Sequence, residues 1–463
     1  MLSTALSALQ SERKALEVTG QNVANANTPG YTRQRALLQA VGGSVQPALY
    51  STSDGIGAGV NVHEVQRLQD GFLEQRANTE NGTLASLQST QQTLEDIENS
   101  FGEPGDTGIQ HLMSQYAAGW SDVANNPPDS GARTALLGDA QAIATALNGA
   151  AAGLQAQWAS TSQSLNSTVR QINDAATNIA ALNKAIVAAS AAGNSPNDLM
   201  DQRDGLIRQL ATMTGVTTRA NANGSTDVLI NGAGLVTGDV ARQIQVGGAT
   251  ALDQVGTTPV SLTWADTGYA VGASAGQVGA MMTTLNTTIP SYSSQLDDVA
   301  SSLATSVNTQ QAAGYDLAGA AGVAFFDPSD GSAITAANIR VAITDPDQIA
   351  ASATAPDPGP PVQPNNDGAN AQTMSDATLS STDDLYRKMI VKLGSQSQSV
   401  QQKAATQQNV VLQVEASRDS MSGVDLDEEQ TNMVTYQQAY NAAAQYLTVI
   451  NGLLDTLINH MLV

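Results

Sequence analysis

The stretch Thr19-Gly-Gln-Asn-Val-Ala-Asn-Ala-Asn-Thr-Pro-Gly-Tyr31 decides how this chain is organised, because a helix ends within it and a turn follows at once. Ahead of the turn, apolar residues recur in steps that combine three and four residues, which predicts a helix over 2–25 with one apolar seam. The seam consists of Leu2, Leu6, Leu9, Leu16 and Val23. So narrow a stripe suits a helical partner better than a globular core. Thr28-Pro-Gly-Tyr31 then predicts a tight turn, with proline at its second position and glycine at its third.

A matching seam lies at the other end of the chain. It consists of Met433, Tyr436, Tyr440, Ala443, Leu447, Ile450, Leu454, Leu457 and Met461. An apolar stripe of this kind is most often part of an intramolecular core. Here the stripes lie at both chain ends, where ordinary domains fray. We therefore expect the terminal helices to pair with each other and with other copies, and to be weakly ordered until the partner seam is present.

Composition restricts the possible functions of the 463 residues. The formal net charge is −23, which makes nucleic acid and anionic membrane surfaces poor partners. Cysteine is absent, so disulfides, thiolate nucleophiles and cysteine metal sites are excluded. Aromatic residues are only 4% of the chain, so we expect thin cores built by close helix packing.

The first residues do not have the pattern of a cleaved secretion signal. Ser11-Glu-Arg-Lys14 interrupts the apolar residues, and no window reaches the roughly 18 apolar residues that a membrane span requires. Taken alone, these features indicate a cytoplasmic protein.

Helical patterns dominate the first half of the chain. We expect helices over 68–99, with Phe72, Leu73, Leu84, Leu87, Leu94 and Ile97 facing inward, over 109–123 and over 132–191. The last of these is about 90 Å long at the usual rise of 1.5 Å per residue, too long for one compact domain. Ser195-Pro-Asn-Asp198 predicts a new helix capped by the serine, which ends near Gly215.

From about residue 216 to 271 the apolar period changes to two, and Asn223-Gly224 and Asn231-Gly232 predict hairpin turns. Helix returns over 276–313, where Pro290 predicts a kink or a restart. Residues 339–343 predict a strand, 355–364 a stiff linker, and 370–419 a long helix. The final helix begins at Asp425, with Glu428 placed for a reciprocal cap.

These features predict a mainly α fold with inserted β: an elongated multi-domain chain with long coiled-coil-like helices from both termini and a smaller β-rich outer domain. We expect a terminal helical domain over 1–35 and 421–463, and a long-helix body over 36–215, 276–320 and 365–420. The inserted β-rich domain covers 216–275, and mixed strand and linker cover 321–364.

Catalytic and cofactor chemistry finds no support in the sequence. The only histidines, His63, His111 and His460, fall in different predicted elements, so we expect no metal site and no cofactor. The acids over 425–429 lack the spacing of a calcium loop and are better explained as helix caps. The glycines over 55–59 are not followed by a phosphate-binding lysine, so a turn explains them better. We therefore expect no enzymatic activity.

Three blocks of the sequence resemble the bacterial flagellar axial proteins, the family of the rod, the hook and the hook–filament junction. They are Asn22-Val-Ala-Asn-Ala-Asn-Thr-Pro-Gly-Tyr31, the block from Gly59 to Arg76, and Ser422-Gly-Val-Asp-Leu-Asp-Glu-Glu429 with the following Tyr436-Gln-Gln-Ala-Tyr440. Thr32-Arg-Gln34 and the long helical middle are more similar to the junction members than to rod or hook subunits.

The resemblance implies a structural role in self-assembly. We assign it to the two seams together with Asn22, Asn25, Asn27, Pro29, Gly30 and Tyr31, the last group setting the angle between the inner helix and the outer domains. It further implies copies of the chain in a ring, hook protein on one side, a second junction protein on the other, and an export chaperone on the C-terminal helix. It places the protein outside the cell, exported through the flagellar type III system without a cleaved signal. The alternatives are a hook or rod subunit, or a secreted coiled-coil adhesin or effector.

Overall fold

The structure, a computed structural model, describes residues 2–42, 59–272, 275–355 and 366–460. Most of the glycine patch over 55–59, most of the linker over 355–364, and Met461 lie outside these residues. The described chain is mainly helical, with short antiparallel strands between the helices. This confirms the predicted fold class.

The helices in the described part of the chain are α1 (Leu2–Asn25), α2 (Gly71–Phe101), α3 (Ile109–Asn125), α4 (Ser130–Ala191), α5 (Asn197–Thr214), α6 (Gly276–Thr283), α7 (Ile289–Ala312), α8 (Ala369–Thr373), α9 (Ser380–Ser422) and α10 (Leu426–His460). The strands are β1 (Gln34–Val41), β2 (Gly59–Arg67), β3 (Thr217–Ala220), β4 (Thr226–Ile230), β5 (Ala233–Thr237), β6 (Val240–Ala241), β7 (Ile244–Gly247), β8 (Ser261–Trp264), β9 (Phe326–Pro328) and β10 (Ile339–Val341).

The longest element, α4, has 62 residues, roughly 90 Å at the usual helical rise. It confirms the long helix predicted over 132–191. Its heptad positions, such as Leu147, Leu154 and Leu165, are fully buried against α3, α5, α7 and the strands of the inserted sheet. The indole Nε1 of Trp158 donates a hydrogen bond to the carbonyl oxygen of Leu285 at 3.0 Å, which satisfies the one polar atom that this large side chain buries.

Local sequence explains where several helices begin and end. Asp70 caps α2, because its carboxylate accepts hydrogen bonds from the backbone N–H groups of Phe72 and Leu73 at 2.8 and 3.2 Å. Gly102 ends α2 and Gly215 ends α5, each with a φ of 64°, a conformation that glycine adopts without steric cost. The predicted stop near Gly215 is confirmed.

Two local predictions for these helices are wrong. Ser195 does not cap α5, which begins at Asn197; the serine hydroxyl instead accepts a hydrogen bond from the backbone N–H of Val65 at 3.3 Å. Phe72 does not face inward, because the buried side of α2 begins only at Ala77, and Phe72 is 72% exposed.

At Pro290, where the sequence predicts a kink or a restart, the helix continues without a break but contains an irregular turn. A single widened π turn, Thr284–Thr288, joins α6 to α7, and Pro290 follows it in the first turn of α7. Proline has no N–H to continue an α-helical ladder, so the wider turn accommodates it. The side chain of Asn286 in this turn exchanges two hydrogen bonds with the backbone of Val260, at 2.8 and 2.9 Å.

The region predicted to be β-rich contains two antiparallel sheets. One has the order β3-β4-β5-β6 and the other pairs β7 with β8. Asn231 and Gly232, with φ of 47° and 81°, make the tight turn between β4 and β5, as the sequence predicts. Val228, Ile230 and Leu235 are buried, and the sheet packs on α4.

The two terminal helices pack together antiparallel. Asn22, near the end of α1, donates a hydrogen bond to Glu429, near the start of α10, at 3.1 Å. Since both helices rise equally per residue, Leu2 lies level with roughly residue 449 of α10. The exposure of the α10 side chains agrees with this alignment, because Ile450 is buried whereas Leu453 is 57% exposed. The end of α10 therefore runs past the start of α1.

The other side of α1 packs on an antiparallel ribbon formed by β1 and β2. The hydroxyl of Ser11 donates a hydrogen bond to the carbonyl oxygen of Val60 at 3.3 Å, and the N–H of Val60 donates to the hydroxyl of Ser7 at 3.3 Å. We call α1, α10 and this ribbon the arm, and α2 to α9 with strands β3 to β10 the body.

Candidate assembly site

The stretch between α1 and β1 forms a compact turn. After α1 ends, the N–H of Thr28 donates to the carbonyl oxygen of Asn25 at 2.9 Å, and the N–H of Tyr31 donates to that of Thr28 at 3.2 Å. Gly30 has a φ of 82°, which side chains other than glycine rarely adopt. The turn reverses the chain so that β1 runs back along α1.

Asn22 is the centre of the turn's hydrogen bonds. Its side chain is buried and its amide nitrogen donates to the carbonyl oxygen of Gln34 at 2.8 Å and to Glu429 at 3.1 Å. Its amide oxygen accepts from the hydroxyl of Tyr31 at 2.9 Å and from the N–H of Gln34 at 3.0 Å. An asparagine side chain has two donors and two acceptor positions, and all four are used here. One residue thus joins α1, the turn, β1 and α10.

The Tyr31 hydroxyl is held as a donor by its surroundings. Burial, together with the negative charges of Asp201, Asp198 and Glu429, raises the pKa of the hydroxyl well above its ordinary value. The hydroxyl therefore stays protonated, and keeps its hydrogen bond to Asn22, even at a pH that ionises an ordinary tyrosine.

Arg33, the residue immediately before β1, ties the chain there to the start of α10. Its guanidinium contacts both oxygens of Glu428 at 2.8 Å and binds Glu429 through Nε at 2.6 Å. The hydrogen bond to Glu428 is the main reason why the pKa of Arg33 is raised, and Arg33 in turn lowers the pKa of Glu428. The predicted reciprocal cap is wrong in one half: Asp425 accepts from the N–H groups of Asp427 and Glu428, but the Glu428 carboxylate binds Arg33 instead.

Arg67, at the end of β2, ties the ribbon to the body. It contacts Asp201 and Asp204 of α5 at 2.7 Å each, and these two carboxylates are one helical turn apart on the same face. Asp201 also accepts a hydrogen bond from the N–H of Thr32 at 3.2 Å. The side chain of Arg67 is only 9% exposed, so these ion pairs are largely removed from solvent.

The N-terminal seam points largely away from the arm's own contacts. Leu2 and Leu6 are half exposed and Val23 is 36% exposed, while Leu9 and Leu16 are half-buried. The buried side of α1 consists of Ala5, Ser11, Ala15, Val18, Thr19 and Asn22. Small and polar residues therefore make the intramolecular packing, and the leucines leave an apolar surface.

The C-terminal seam is divided along its length. Met433, Tyr436, Tyr440 and Leu447 are half-buried, and Ile450 is buried beside the start of α1. Beyond the start of α1, Leu454 and Leu457 are exposed. The first part of the seam thus has a partner within the chain, and the last part has none among the described residues.

The predicted turn residues fall into two groups. Asn22 and Tyr31 meet in the buried network, whereas Asn25 bonds only within the end of α1 and the turn, and Asn27, Pro29 and Gly30 are exposed. Sequence reasoning did not assign Arg33, Glu429 or Arg67 to this site. Arg33 and Glu429 lie 396 positions apart in the sequence, so no local pattern connects them.

Nothing in the described residues indicates bound metal or membrane insertion. They contain no group of three or more histidine, aspartate or glutamate side chains that could hold a metal ion. None of the described helices combines the length and apolarity needed to cross a bilayer.

Comparison with known sequences agrees with this geometry. The family described as "Flagellar hook-associated protein FlgK helical domain" matches residues 94–326, half of the chain. "Flagella basal body rod protein" matches 2–32, and "Flagellar basal body rod FlgEFG protein C-terminal" matches 416–460. The last two matches cover α1 with its turn and the whole of α10, the two helices that the Asn22–Glu429 hydrogen bond joins.

Relatives that match over nearly the whole chain are also flagellar hook-associated proteins. The chain is 28% identical to flagellar hook-associated protein 1 of Bacillus subtilis, over 99% of this chain and 98% of that one. It is 25% identical to flagellar hook-associated protein 1 of Escherichia coli, over 99% of both chains. The solved structure of the flagellar hook junction protein FlgK from Burkholderia pseudomallei shares the fold, with a TM-score of 0.63 over 75% of this chain and 100% of that chain, at 18% identity. The chain belongs to the flagellar hook-associated protein FlgK family, and it is a structural component of the flagellum rather than an enzyme.

Proposed function

We propose that copies of this chain form the ring that joins the flagellar hook to the filament, with the terminal helices on the inside of the ring. The observation that supports this proposal is the distribution of exposed apolar residues. About half of the large hydrophobic side chains exposed in the described part of the chain lie on α1 or α10. Exposed apolar surface of this extent is typical of an interface.

The two helices divide this apolar surface between them. On α1 it consists of Leu2, Leu6 and Val23, and on α10 of Leu426, Val434, Tyr446, Val449, Leu453, Leu454, Leu457 and Ile458. The polar network around Asn22 and Arg33 holds the two helices in one arrangement, so the apolar residues are presented together. A preformed surface of this kind loses less conformational entropy when a partner binds.

The distribution of charged residues also supports α10 as the surface on which copies pack. Between Gln430 and Leu454, α10 carries no charged residue, although the chain as a whole has a formal net charge of −23. Copies with so large a charge repel one another wherever their charged faces meet. An uncharged helix face is therefore the part of the molecule on which copies can pack most closely.

The other parts of the chain receive the remaining roles in this proposal. Residues 1–35 and 421–463 form the inner unit; 36–215, 276–320 and 365–420 form the wall; and 216–275 form an outer domain that faces solvent, with 321–364 as mixed strand and linker. Hook protein contacts the ring on one side and a second junction protein on the other. The subunit leaves the cell through the flagellar type III channel, with a dedicated chaperone on α10 before export.

The proposal is tested by deleting the gene in its own bacterium and examining cell envelopes by electron microscopy, with an assay of flagellin in the medium. The expected result is complete hooks without filaments, and flagellin lost to the medium. Missing hooks would place the chain lower in the flagellum, and normal filaments would contradict the proposal.

A pair of matched variants tests the inner surface in the same deletion strain. Val449→Asp puts a charge on the uncharged face of α10, and we expect it to leave hooks without filaments. Val240→Asp makes the same change at a position of similar exposure, 61% against 59%, in the outer β region, and should restore filaments. Equal complementation by both variants would contradict the assignment of α10 to the interface.

A further inference from the structure

Basic residues concentrate on one helix of an otherwise acidic chain. Residues 385–414, most of α9, contain four basic residues and no acidic one, whereas the whole chain has a formal net charge of −23. The four are Arg387, Lys388, Lys392 and Lys403, and all of them are exposed. The body of this acidic protein therefore presents a positively charged surface along α9.

The lysines of this surface have no carboxylate partner in their own chain. Arg387 pairs with Asp383, one turn earlier in α9. In the part of the chain that the structure describes, no carboxylate oxygen lies within 4.0 Å of the amines of Lys388, Lys392 or Lys403. These amines are solvated, so a carboxylate from outside the chain can bind them without displacing an internal ion pair.

Exposed apolar side chains lie among the lysines. Val391 is 65% exposed and Leu385 is 41% exposed. Both share a side of α9 with Lys388 and Lys392, because residues three or four positions apart in a helix lie on the same face. A surface of this composition can exclude water from a contact and also select its partner by charge. We call these four residues the basic face.

The opposite charge prevails on the first three helices of the body. Residues 77–169 contain nine acidic residues and one arginine or lysine, Arg133, which is buried. Asp122 of α3 is exposed, and Asp139 of α4 is half-buried close to Gly119 of α3. Burial and the negative charge of Asp122 raise the pKa of Asp139, so the two carboxylates repel each other where α3 meets α4. A cation beside this pair, which we call the acidic corner, would relieve the repulsion.

The basic face cannot reach the acidic corner of its own chain. The hydroxyl of Tyr386 donates to the Glu103 carboxylate at 3.1 Å, and the same carboxylate accepts the N–H of Gln110 at the start of α3, at 2.9 Å. The α9 lysines therefore lie near the start of α3. Asp122 is near the other end of this 17-residue helix, roughly 20 Å away at the usual helical rise. No lysine side chain spans that distance, so the two surfaces can pair only between different copies.

We infer that the basic face of each copy packs on the acidic corner of the next copy. The contact is head to tail, since each copy offers a different surface to each of its two neighbours, and contacts of this type close into rings or continue as helices. The lysine amines bind the aspartate carboxylates, and the neighbouring copy covers Leu385 and Val391. The inference rests on the proposed ring and gives it a second contact, separate from the surface of α10.

Charge reversal in the deletion strain tests this contact. Lys388→Glu with Lys392→Glu reverses the basic face, and Asp122→Lys with Asp139→Lys reverses the acidic corner. We expect either pair to lower the fraction of hooks that carry filaments by about tenfold or more, because like charges then face each other. All four substitutions together restore opposite charges across the contact, and should return the fraction to within about twofold of the wild type.

Arg170→Glu with Lys184→Glu is the matched control. It makes the same change in net charge at two α4 residues outside both surfaces, and filaments should form normally. Circular dichroism of each purified variant shows whether its helix content is retained.

Cysteine cross-linking tests the same contact without altering a charge. Val391→Cys places a thiol in the basic face, and Asn125→Cys places one beside the acidic corner, in a chain that has no other cysteine. In hook–filament structures isolated from cells, a short bismaleimide should join copies of this double variant into dimers and longer products. Either cysteine alone should give monomers, because a head-to-tail contact does not bring two identical positions together.

Normal filaments from the variant with the reversed basic face would overturn this inference and leave the proposed function intact. The same conclusion would follow if the fourfold variant failed to restore filaments and the double-cysteine variant gave no cross-linked products. Cross-linking of Val391→Cys alone, or to a different flagellar protein, would overturn the choice of partner surface. Normal filaments in the deletion strain itself would overturn the proposed function and this inference with it.

Discussion

Replacing Asn22 by alanine should open the arm without unfolding the body. The substitution removes both partners of the Gln34 backbone, the acceptor of the Tyr31 hydroxyl and one donor to Glu429. A neutral hydrogen bond contributes about 1 kcal/mol net and one to a charged group about 1.5–3 kcal/mol. Three neutral bonds and one to a charged group together give a loss of about 4.5–6 kcal/mol in the free energy of arm opening.

The body should keep its stability, because Asn22 lies outside its apolar core. One melting temperature for the whole chain would not resolve this effect, since separate units need not unfold together. Hydrogen exchange followed by mass spectrometry does resolve it, because each peptide reports its own opening. We expect exchange in residues 11–25 and 429–436 to rise roughly 2,000-fold to 25,000-fold, the factor that corresponds to about 4.5–6 kcal/mol. Peptides of α4 should not change.

Asn25→Ala is the matched control for this experiment. Asn25 lies one turn further along α1 and makes side-chain bonds only to Gln21 and Thr28, at 3.0 and 3.2 Å. Its replacement should cost less than about 1 kcal/mol. If Asn22→Ala and Asn25→Ala had the same exchange profile, the central role of Asn22 would be refuted.

Three further predictions concern single positions. Gly30→Val should destabilise the turn by about 1–2 kcal/mol, because the φ of 82° is unfavourable for a branched side chain. Gly30→Asn should be tolerated better, since asparagine adopts positive φ more readily. The rate of hydrogen exchange in the 26–34 peptide measures the stability of the turn in both variants. Arg33 lowers the pKa of Glu428, so this pair stabilises the arm above the ordinary carboxyl pKa of about 4.3 and its contribution disappears as pH falls through the lowered value. The difference in arm stability between the wild type and Arg33→Met, followed by hydrogen exchange of the 429–436 peptide, should therefore shrink in acid. Phe72→Ser should change the free energy of unfolding by less than about 0.5 kcal/mol, because Phe72 is exposed. The buried Ile97→Ala should cost about 2–5 kcal/mol. A similarly large loss of stability in Phe72→Ser would show that the Phe72 side chain is buried in solution.

The fold could be predicted from sequence wherever a local cause sets the structure. Heptad spacing predicts α4, Gly215 predicts the end of α5, Pro290 predicts an irregularity in the helix before α7, and Asn231-Gly232 predicts the turn between β4 and β5. Each of these features depends on residues within a few positions of one another.

The direction in which α1 packs was harder to predict. A leucine seam usually marks the buried side of a helix. In α1 the buried side is formed by Ala15, Val18 and Asn22, because small and polar residues allow the ribbon and α10 to approach closely. Leu2 and Leu6 are left about half exposed.

The contacts that hold the arm together could not be predicted, for a physical reason. Arg33 with Glu429, and Arg67 with Asp204, join residues that are distant in sequence, and a charged residue has many possible partners in an acidic chain. Only the folded arrangement selects one of them. A distant partner also explains why Glu428 does not cap α10 as predicted. Its carboxylate instead makes the stronger bidentate contact with Arg33.

Thiol labelling at a single introduced cysteine tests whether the apolar face of α10 is an assembly surface. Val449→Cys on α10 and Val240→Cys in the outer β region are similarly exposed in the isolated chain, at 59% and 61%. Both should react readily with a soluble maleimide in the purified monomer. In hook–filament structures isolated from cells, Val449→Cys should be protected while Val240→Cys still reacts. Equal reactivity of the two positions in the assembled flagellum would contradict the proposed inner interface.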